Sequence, residues 1–536
     1  MGDPHVHDVL ILGGGAVGAT LARALSRFTL DVVLLEAEAE VAFGVSKANS
    51  GIIHSGLHAP GDTLKGQLEY PGNRGWHRLH EELGFGFAPV GEVLVAVEQD
   101  ELATIESIRQ QGVDKGVPGT EPWSPQQALA AEPNLNPELA GAVWVPTAAV
   151  INPYEAVMLV ADAAQRNGVR IEVEQPVVAI DPIDADQPDA PLTVHTPAGA
   201  WHGRYVVNAT GLFADEVAAM AGVAGLTIRP RKGEEYLLDR RVEGLVHSIV
   251  FPAPRPTSKG TLVIPTVDGT IMVGPTAHEI DDKWDTSTSD EGAAEVFASA
   301  RRLVPVLNER DVIAEFAGLR PVAQTEDFVV GPTERPGFIN AAGIQSPGLT
   351  AAPALADHLV DILAHQGLAL AERSDWDPTA PAPVRFAARS TEEQRQLAAD
   401  DPRYARLVCR CELITEAEVR DAIGRGARTL DGLKFRTRAG MGRCQGAFCT
   451  WSCLSLLAEG LDVPITAVTK RGGGSWIVCD RDDRPGQDTT DDGRPSPDTT
   501  EDGRPSPGTA EDGPPAPGTT GYHQPEPDAT GSDAPW

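Results

Sequence analysis

The feature that most constrains this chain is a run of glycines set between an apolar strand and a helix. Val9 to Leu12 is apolar, Gly13-Gly14-Gly15-Ala16-Val17-Gly18 fits G-x-G-x-x-G, Ala16 to Phe28 suits a helix, and Asp31 to Leu35 reads as a second strand. That order predicts a βαβ unit. Within it, glycine permits the tight turn at Gly13, backbone approach to a pyrophosphate at Gly15 and close helix–strand packing at Gly18. The helix start at Ala16 and Val17 adds unpaired N–H groups and a positive dipole end. Glu36 lies 23 residues after Gly13 at the end of the second strand. It is placed to accept a hydrogen bond from a ribose hydroxyl, and an acid there disfavours a 2′-phosphate.

A second element lies far along the chain. Val206-Val207-Asn208-Ala209-Thr210-Gly211 reads as a strand ending in Ala-Thr-Gly, which brings backbone close to a dinucleotide already lying on the first turn. Gly91 to Val97, Glu235 to Leu238 and Thr261 to Ile264 are also strand-like. The expected fold is α/β (α+β): a Rossmann-like nucleotide-binding domain interleaved with a mixed-sheet substrate domain over 5–375.

Six cysteines in 536 residues are too sparse for a disulfide scaffold, yet four crowd between Cys409 and Cys449. The spacing is Cys409-x-Cys411, then 32 residues, then Cys444-x4-Cys449. Four thiolates suit an iron–sulfur cluster or a structural zinc, and zinc more often uses paired C-x2-C knuckles. Thr415 to Glu418 reads as a capping box ahead of Val419 and Ile423, and Thr429 can cap a second helix carrying Leu430 and Leu433. Arg410, Lys434, Arg436, Arg438 and Arg443 share this module; a solvated basic face is the default reading, and guidance of an acidic partner is the functional one. Cys453 and Cys479 read as packing residues.

Composition bounds the rest. A formal net charge of −33 argues against nucleic acid and against electrostatic docking to an anionic membrane. No run of about 18 apolar residues occurs, and the stretch ending at Leu12 is too short and too glycine-flanked for a signal, so neither a spanning helix nor a secretory leader is expected. A cytoplasmic chain follows, peripheral to a membrane only through a partner. Pro-rich sequence after Asp375 predicts a linker over 376–400, a metal module over 401–480, and a disordered Pro/Gly/Asp/Thr-rich tail with a ten-residue period over 481–536.

The segment from Ser46 to Leu57, with Pro230 to Glu234, Pro265 to Gly269, Val273 to Thr276, Gly318 to Pro321 and Gly343 to Thr350, resembles the D-amino-acid-oxidase-like flavoproteins. Within them the likeness is to the branch of L-2-hydroxyglutarate dehydrogenase and the catalytic subunit of anaerobic glycerol-3-phosphate dehydrogenase. Val408 to Glu412 and Gly440 to Gly446 resemble the bacterioferritin-associated-ferredoxin-like 2Fe-2S domain. The resemblance implies FAD and a 2Fe-2S cluster as cofactors, the latter on Cys409, Cys411, Cys444 and Cys449. It implies flavin contacts from Ser46, Asn49, Ser50, Gly51, Ala209, Thr210 and Gly211, adenine contact at Val177, and a helix N-terminus at Gly348, Leu349 and Thr350 facing the flavin pyrimidine. His54 is the candidate base and Arg320 the candidate clamp for a small anionic substrate; His58 and Lys232 are weaker candidates. The expected activity is oxidation of glycerol 3-phosphate or a 2-hydroxy acid, with electrons relayed through the cluster to a separate partner or quinone reductase. The competing readings are an amine or amino-acid dehydrogenase and a non-catalytic electron-transfer subunit.

Overall fold

The computed structural model describes residues 5–183, 190–254 and 260–479. A compact unit spans 1–478; the tail over 481–536 lies outside the described residues. β1 (Val6–Leu12), α1 (Ala16–Leu25) and β2 (Val32–Leu35) form the expected unit, with Leu12 opposite Leu35 in parallel register. Val9, Leu10, Ile11 and Leu12 are fully buried, as a parallel strand covered on both faces requires. β1 is flanked on its other side by β4 (Gly199–Asn208), also parallel, so Leu12 faces Asn208. β7 (Phe338–Ala342) extends the same sheet beside β4.

A second, nine-stranded sheet is built from β5 (Ile228–Leu238), β6 (Val312–Ala323) and shorter strands that include Glu92–Ala96 and Leu262–Pro265. Most pairs are antiparallel, but Ile249–Pro252 runs parallel to Glu92–Ala96, which makes it the mixed sheet expected. Its strands alternate along the chain with those of the first sheet, so neither half is a continuous stretch of sequence. A small third sheet holds β3 (Ile52–Ile53) against Ala149–Ile151. Two long helices close the body: α2 (Leu64–Leu83), capped by Thr63, and α3 (Gly348–His365). Trp76 Nε1 of α2 donates to the Leu349 carbonyl at 2.7 Å, which fixes the N-terminal turn of α3 inside the body. No helix among the described residues is long and apolar enough to cross a membrane.

The stretch expected to be a linker is irregular to Ser390 and then forms α4 (Thr391–Asp400), because Ser390 and Glu393 complete a capping box. Arg385 in this stretch pairs with Glu155, and the Phe386 N–H donates to Glu418 Oε1 at 3.1 Å. The connection is therefore strapped to both bodies. Beyond it, a two-stranded ribbon with α5 (Glu416–Gly424), α6 (Leu430–Thr437) and α7 (Thr450–Leu461) encloses Val419, Leu433, Leu454 and Leu457. Thr415 caps α5 with Glu418 as its reciprocal partner, and Thr429 caps α6.

The basic face expected on this module is only partly solvated. Arg436 is buried between two carboxylates of the large body, Glu40 at 2.7 Å and Asp162 at 3.2 Å. Arg438 bridges Asp268 of the body at 2.5 Å and Glu412 of the module at 2.9 Å. A cation removed from between two buried carboxylates leaves them uncompensated, which costs about 3–5 kcal/mol. Arg436→Ala is expected to destabilise the protein by about that amount, read as a lowered urea midpoint; an unchanged midpoint would mean the latch contributes nothing.

Candidate active site

The nucleotide cradle is made by backbone meeting backbone. Gly13 has φ +102°, and a Cβ there would lie 2.6 Å from the Ala209 carbonyl oxygen. Ala209 N–H in turn donates to the Leu12 carbonyl at 2.9 Å. The first turn and the end of β4 thus touch with no room for a side chain, and a Cβ at Gly18 would strike the Gly13 carbonyl. Gly15 begins α1 with no side-chain cap, while Ala16 N–H donates to Ser46 Oγ at 2.9 Å. Glu36 accepts the Gly14 N–H at 2.6 Å and the Glu38 N–H at 2.8 Å. Burial raises its carboxyl to about 7. Its position beside the turn matches the expectation, and it also holds the turn in shape. Thr210 Oγ1 donates to Asn208 Oδ1 at 2.6 Å, and Gly211 opens the following short helix at φ +61°.

The loop over 46–51 runs along the same cleft. Asn49 Nδ2 donates to the Ser46 carbonyl at 2.8 Å and its Oδ1 accepts the Gly51 N–H at 2.9 Å. That side chain braces the loop, leaving backbone to face the cleft. Ser50 Oγ donates to Glu235 Oε1 at 2.7 Å. Thr350 in the first turn of α3 accepts the His54 N–H at 2.9 Å, and the His54 ring Nε2 lies 3.4 Å from Ser346 Oγ. His58 stacks on Phe251 with ring centres 4.4 Å apart and binds buried Glu92 at 3.0 Å. Burial works against a charge on His58, but the Glu92 carboxylate and its hydrogen bond outweigh it and raise the imidazole above its usual value.

Arg320 lies on β6, opposite Arg231 of β5. Its guanidinium crosses over Gly233, where a Cβ would sit 2.6 Å from Nη2, and donates to the Thr276 carbonyl at 3.3 and 3.4 Å. Burial lowers its pKa, opposed by the charge of Glu235. The structure places Lys232 away from the cleft, contrary to its candidacy for the site. It pairs with Asp285 at 2.9 Å and does not line the cleft, because side chains alternate along β5 and positions 231, 233 and 235 take the cleft face. The same alternation turns Arg231 and Glu235 to the cleft, and the sequence signal for both is Gly233, a close-approach position between them.

The cysteine module converges as its spacing predicts. Cys411 Sγ lies 3.6 Å from Cys444 Sγ, while Cys409 and Cys449 are buried behind them. Burial first, then the neighbouring Cys409, pushes the Cys449 thiol up to about 11. The Phe448 N–H, followed by Cys411, lowers Cys444. Four thiols drawn together, two of them away from water, are a donor set for an iron–sulfur cluster. Cys453 packs in the module core and Cys479 is exposed.

One cleft of about 3180 Å³ joins these parts, lined by Gly13, Glu36, Ser46 to Gly51, Val177, Ala209 to Gly211, His54, His58, Arg320 and Gly348 to Thr350. Cys411, Phe435 and Met441 of the cysteine module line it as well. At that end Phe435 meets Phe43 at 5.5 Å and Tyr154 at 4.8 Å between ring centres, and Tyr154 OH contacts Met441 Sδ at 3.6 Å.

A long cleft opening from the glycine turn, with Arg320 on its wall and a four-thiol module at its border, is the layout of a flavin-dependent oxidoreductase with its own iron–sulfur carrier. Residues 8–362 match the model of the FAD dependent oxidoreductase family, and 407–459 match the BFD-like 2Fe-2S binding domain. The chain belongs to the FAD dependent oxidoreductase family, and FAD and a 2Fe-2S cluster are its cofactors. It is 38% identical over 474 residues to a glycerol 3-phosphate dehydrogenase of Caloramator mitchellensis, covering 88% of this chain and 98% of that one. It is 26% identical over 491 residues to one subunit of the anaerobic glycerol-3-phosphate dehydrogenase of Escherichia coli K12, covering 85% and 88%. Among solved structures, the dithionite-reduced L-alpha-glycerophosphate oxidase of Mycoplasma pneumoniae with FAD bound superposes with a TM-score of 0.67 at 29% identity, over 70% of this chain and 99% of that one.

A side chain at Gly13 meets both the Ala209 carbonyl and a left-handed backbone, the latter alone costing about 1–2 kcal/mol. Gly13→Ala is expected to weaken FAD retention by about tenfold or more, measured as the flavin-to-protein ratio after desalting.

Proposed function

We propose that the chain is a glycerol 3-phosphate dehydrogenase that passes electrons from its flavin to its own 2Fe-2S cluster and then to a separate acceptor. The observation that carries the substrate class is Arg320: a guanidinium held over Gly233 at the reactive end of the cleft, hydrogen-bonded to one carbonyl at long range. Such a group grips a phosphate or carboxylate with paired donors. The Caloramator dehydrogenase and the Mycoplasma oxidase are both named for glycerol phosphate, which favours phosphate.

When bound, FAD supplies the two-electron acceptor and the cluster a one-electron carrier. The protein supplies position and proton transfer. His54, held through its backbone by Thr350 and with its ring beside Ser346, takes the proton of the substrate's secondary hydroxyl. Arg320 orients the anionic end. His58, fixed to Glu92 and stacked on Phe251, acts as a wall and a fixed charge rather than as the base. The cradle residues Gly13, Gly15, Ala16, Val17, Glu36, Ser46, Gly51, Val177, Ala209, Thr210 and Gly211 hold the dinucleotide, and the turn at Gly348 and Leu349 faces its pyrimidine end.

The route onward is supported by the shared cleft, since Cys411 lines the same space as the flavin-facing residues. Cys409 and Cys449 are buried and Cys411 is exposed, so the cluster would keep one edge open to an electron acceptor. That acceptor, a partner protein or quinone reductase reached from the cytoplasm, carries any membrane contact.

Anaerobic mixing is expected to bleach the flavin with glycerol 3-phosphate and not with amino acids. Bleaching by L-2-hydroxyglutarate instead would shift the reading to the 2-hydroxy acids, and bleaching by an amino acid would overturn it. Arg320→Ala is expected to raise KM about 10- to 100-fold, the value of a lost hydrogen-bonded charge. If turnover is untouched, the chain does not hold the substrate site. Cys444→Ser is expected to lose iron and sulfide while substrate still bleaches the flavin; bound zinc without sulfide in the unaltered protein would sink the relay.

A further inference from the structure

Glu235 is a buried acid that the proposed reaction leaves unused. It sits on the cleft face of β5 with 3% of its surface exposed, its Oε1 accepts the Ser50 hydroxyl at 2.7 Å, and its Oε2 is buried with no hydrogen-bond partner among the described residues. An unmet carboxylate oxygen away from water is costly unless a cation or a proton compensates it. The cation whose charge reaches it is Arg320, whose guanidinium lies over Gly233, two residues along the same cleft face. Arg320 itself feels Glu235 and, across the β5–β6 register, Arg231.

The other charged groups around this pair are engaged elsewhere. Glu234 points to the opposite face of β5, to Ser289 and the Tyr236 hydroxyl. Arg231 pairs with Glu279 and Glu326 at 2.9 Å each. Lys47 of the loop lies over the Phe43 ring and feels the charges of Glu38 and Asp431, His54 lies by Ser346, and His58 is bound to Glu92. From the strand Ile271–Gly274, Gly274 packs on the Glu235 backbone and side chain with no titrating group.

Arg320 therefore has two claims on it: the internal carboxylate and, on the reading above, on which this inference rests, the anionic end of the substrate. An anion arriving at Arg320 removes the counter-charge of Glu235 and puts a like charge beside it, and both effects favour a proton on the carboxyl. We propose that Glu235 is the proton-linked counter-ion of the substrate pocket, ionised against Arg320 when the pocket is empty and binding one proton from solvent when an anion occupies Arg320. No covalent bond other than that O–H forms or breaks. Glu235 is a positioning residue here, acting through Arg320. Burial already holds its carboxyl at about 7, so the empty pocket carries the carboxylate above about pH 7, and it is there that occupancy draws in the proton.

The test uses the flavin-loaded protein and inorganic sulfate, an anion that does not itself titrate near neutrality. Binding is followed by the flavin spectrum from about pH 6 to 9 and by calorimetry in two buffers of different ionisation enthalpy. The expected result is proton uptake approaching one per sulfate and an affinity that falls up to about tenfold per pH unit as pH rises above about 7. E235Q should show neither. Ser50→Ala, which removes the hydrogen bond favouring the ionised form, should move the pH dependence upward, and it serves where E235Q does not retain flavin. Equal uptake in wild type and E235Q, an unshifted profile in Ser50→Ala, or sulfate binding without proton uptake would overturn the proposal. Failure of glycerol 3-phosphate to bleach the flavin is a separate readout and would overturn the substrate reading alone.

Discussion

The arrangement of the whole molecule depends on one buried cation. Arg436 leaves the cysteine module and ends between Glu40 and Asp162, all three nearly out of water. Taken alone, a buried ion triad is a poor source of net stability, because desolvation offsets most of the attraction. Its effect is on where the module can sit. A guanidinium with five fixed donors meets two carboxylates in a narrow range of poses, so this docking is one in which all three charges are paired as they leave water. That pose is the one in which Cys411 lines the dinucleotide cleft and Phe435 meets Phe43 and Tyr154. Arg438, with Asp268 and Glu412, fixes the same interface from a second point.

A similar economy governs the reactive end. Alternation along β5 gives the cleft Arg231, Gly233 and Glu235 and sends Lys232 and Glu234 to the far face, where Asp285 and Ser289 receive them. Gly233 is the step that lets Arg320 lie flat across the strand. Three residues on one face thus supply an outer ion-paired cation, the space for a second cation and a buried acid. The charges are arranged in series, with Arg231 drawn outward by Glu279 and Glu326 and Arg320 left as the cation facing inward.

These contrasts explain which parts were legible in the sequence. The βαβ start, the capping box at Thr415 and the four-thiol spacing are local signals, each complete within a few tens of residues. The second nucleotide element at Ala209 was legible because its Ala-Thr-Gly end has a physical job that only close backbone contact satisfies. Lys232 was misread because residue type was weighed without strand parity. Arg436 and Arg438 read as a solvated face because their partners stand 396 and 170 residues away, and nothing local to α6 marks a cation as destined for burial. The helix at Thr391 followed the Ser390 box, a signal hidden by the prolines before it.

On the proposed relay, the module's own burial pattern gives direction to the electron path. Cys409 and Cys449 belong to the module core with Cys453 and Leu457, whereas Cys411 and Cys444 stand toward the outside. Of those two, Cys411 also borders the cleft shared with the flavin-facing residues. A cluster held this way is anchored by its buried ligands and reached through its outer ones. Entry from the cleft and exit to solvent then use one edge of the module, and the Arg436 and Arg438 latches keep that edge at a fixed distance from the flavin site. A module tethered by a free linker would need to search for that contact at every turnover. The strapped connection at Arg385 and Phe386 holds the module against the body, so on the proposed relay the electron's reach would be set by packed side chains rather than by diffusion of a domain.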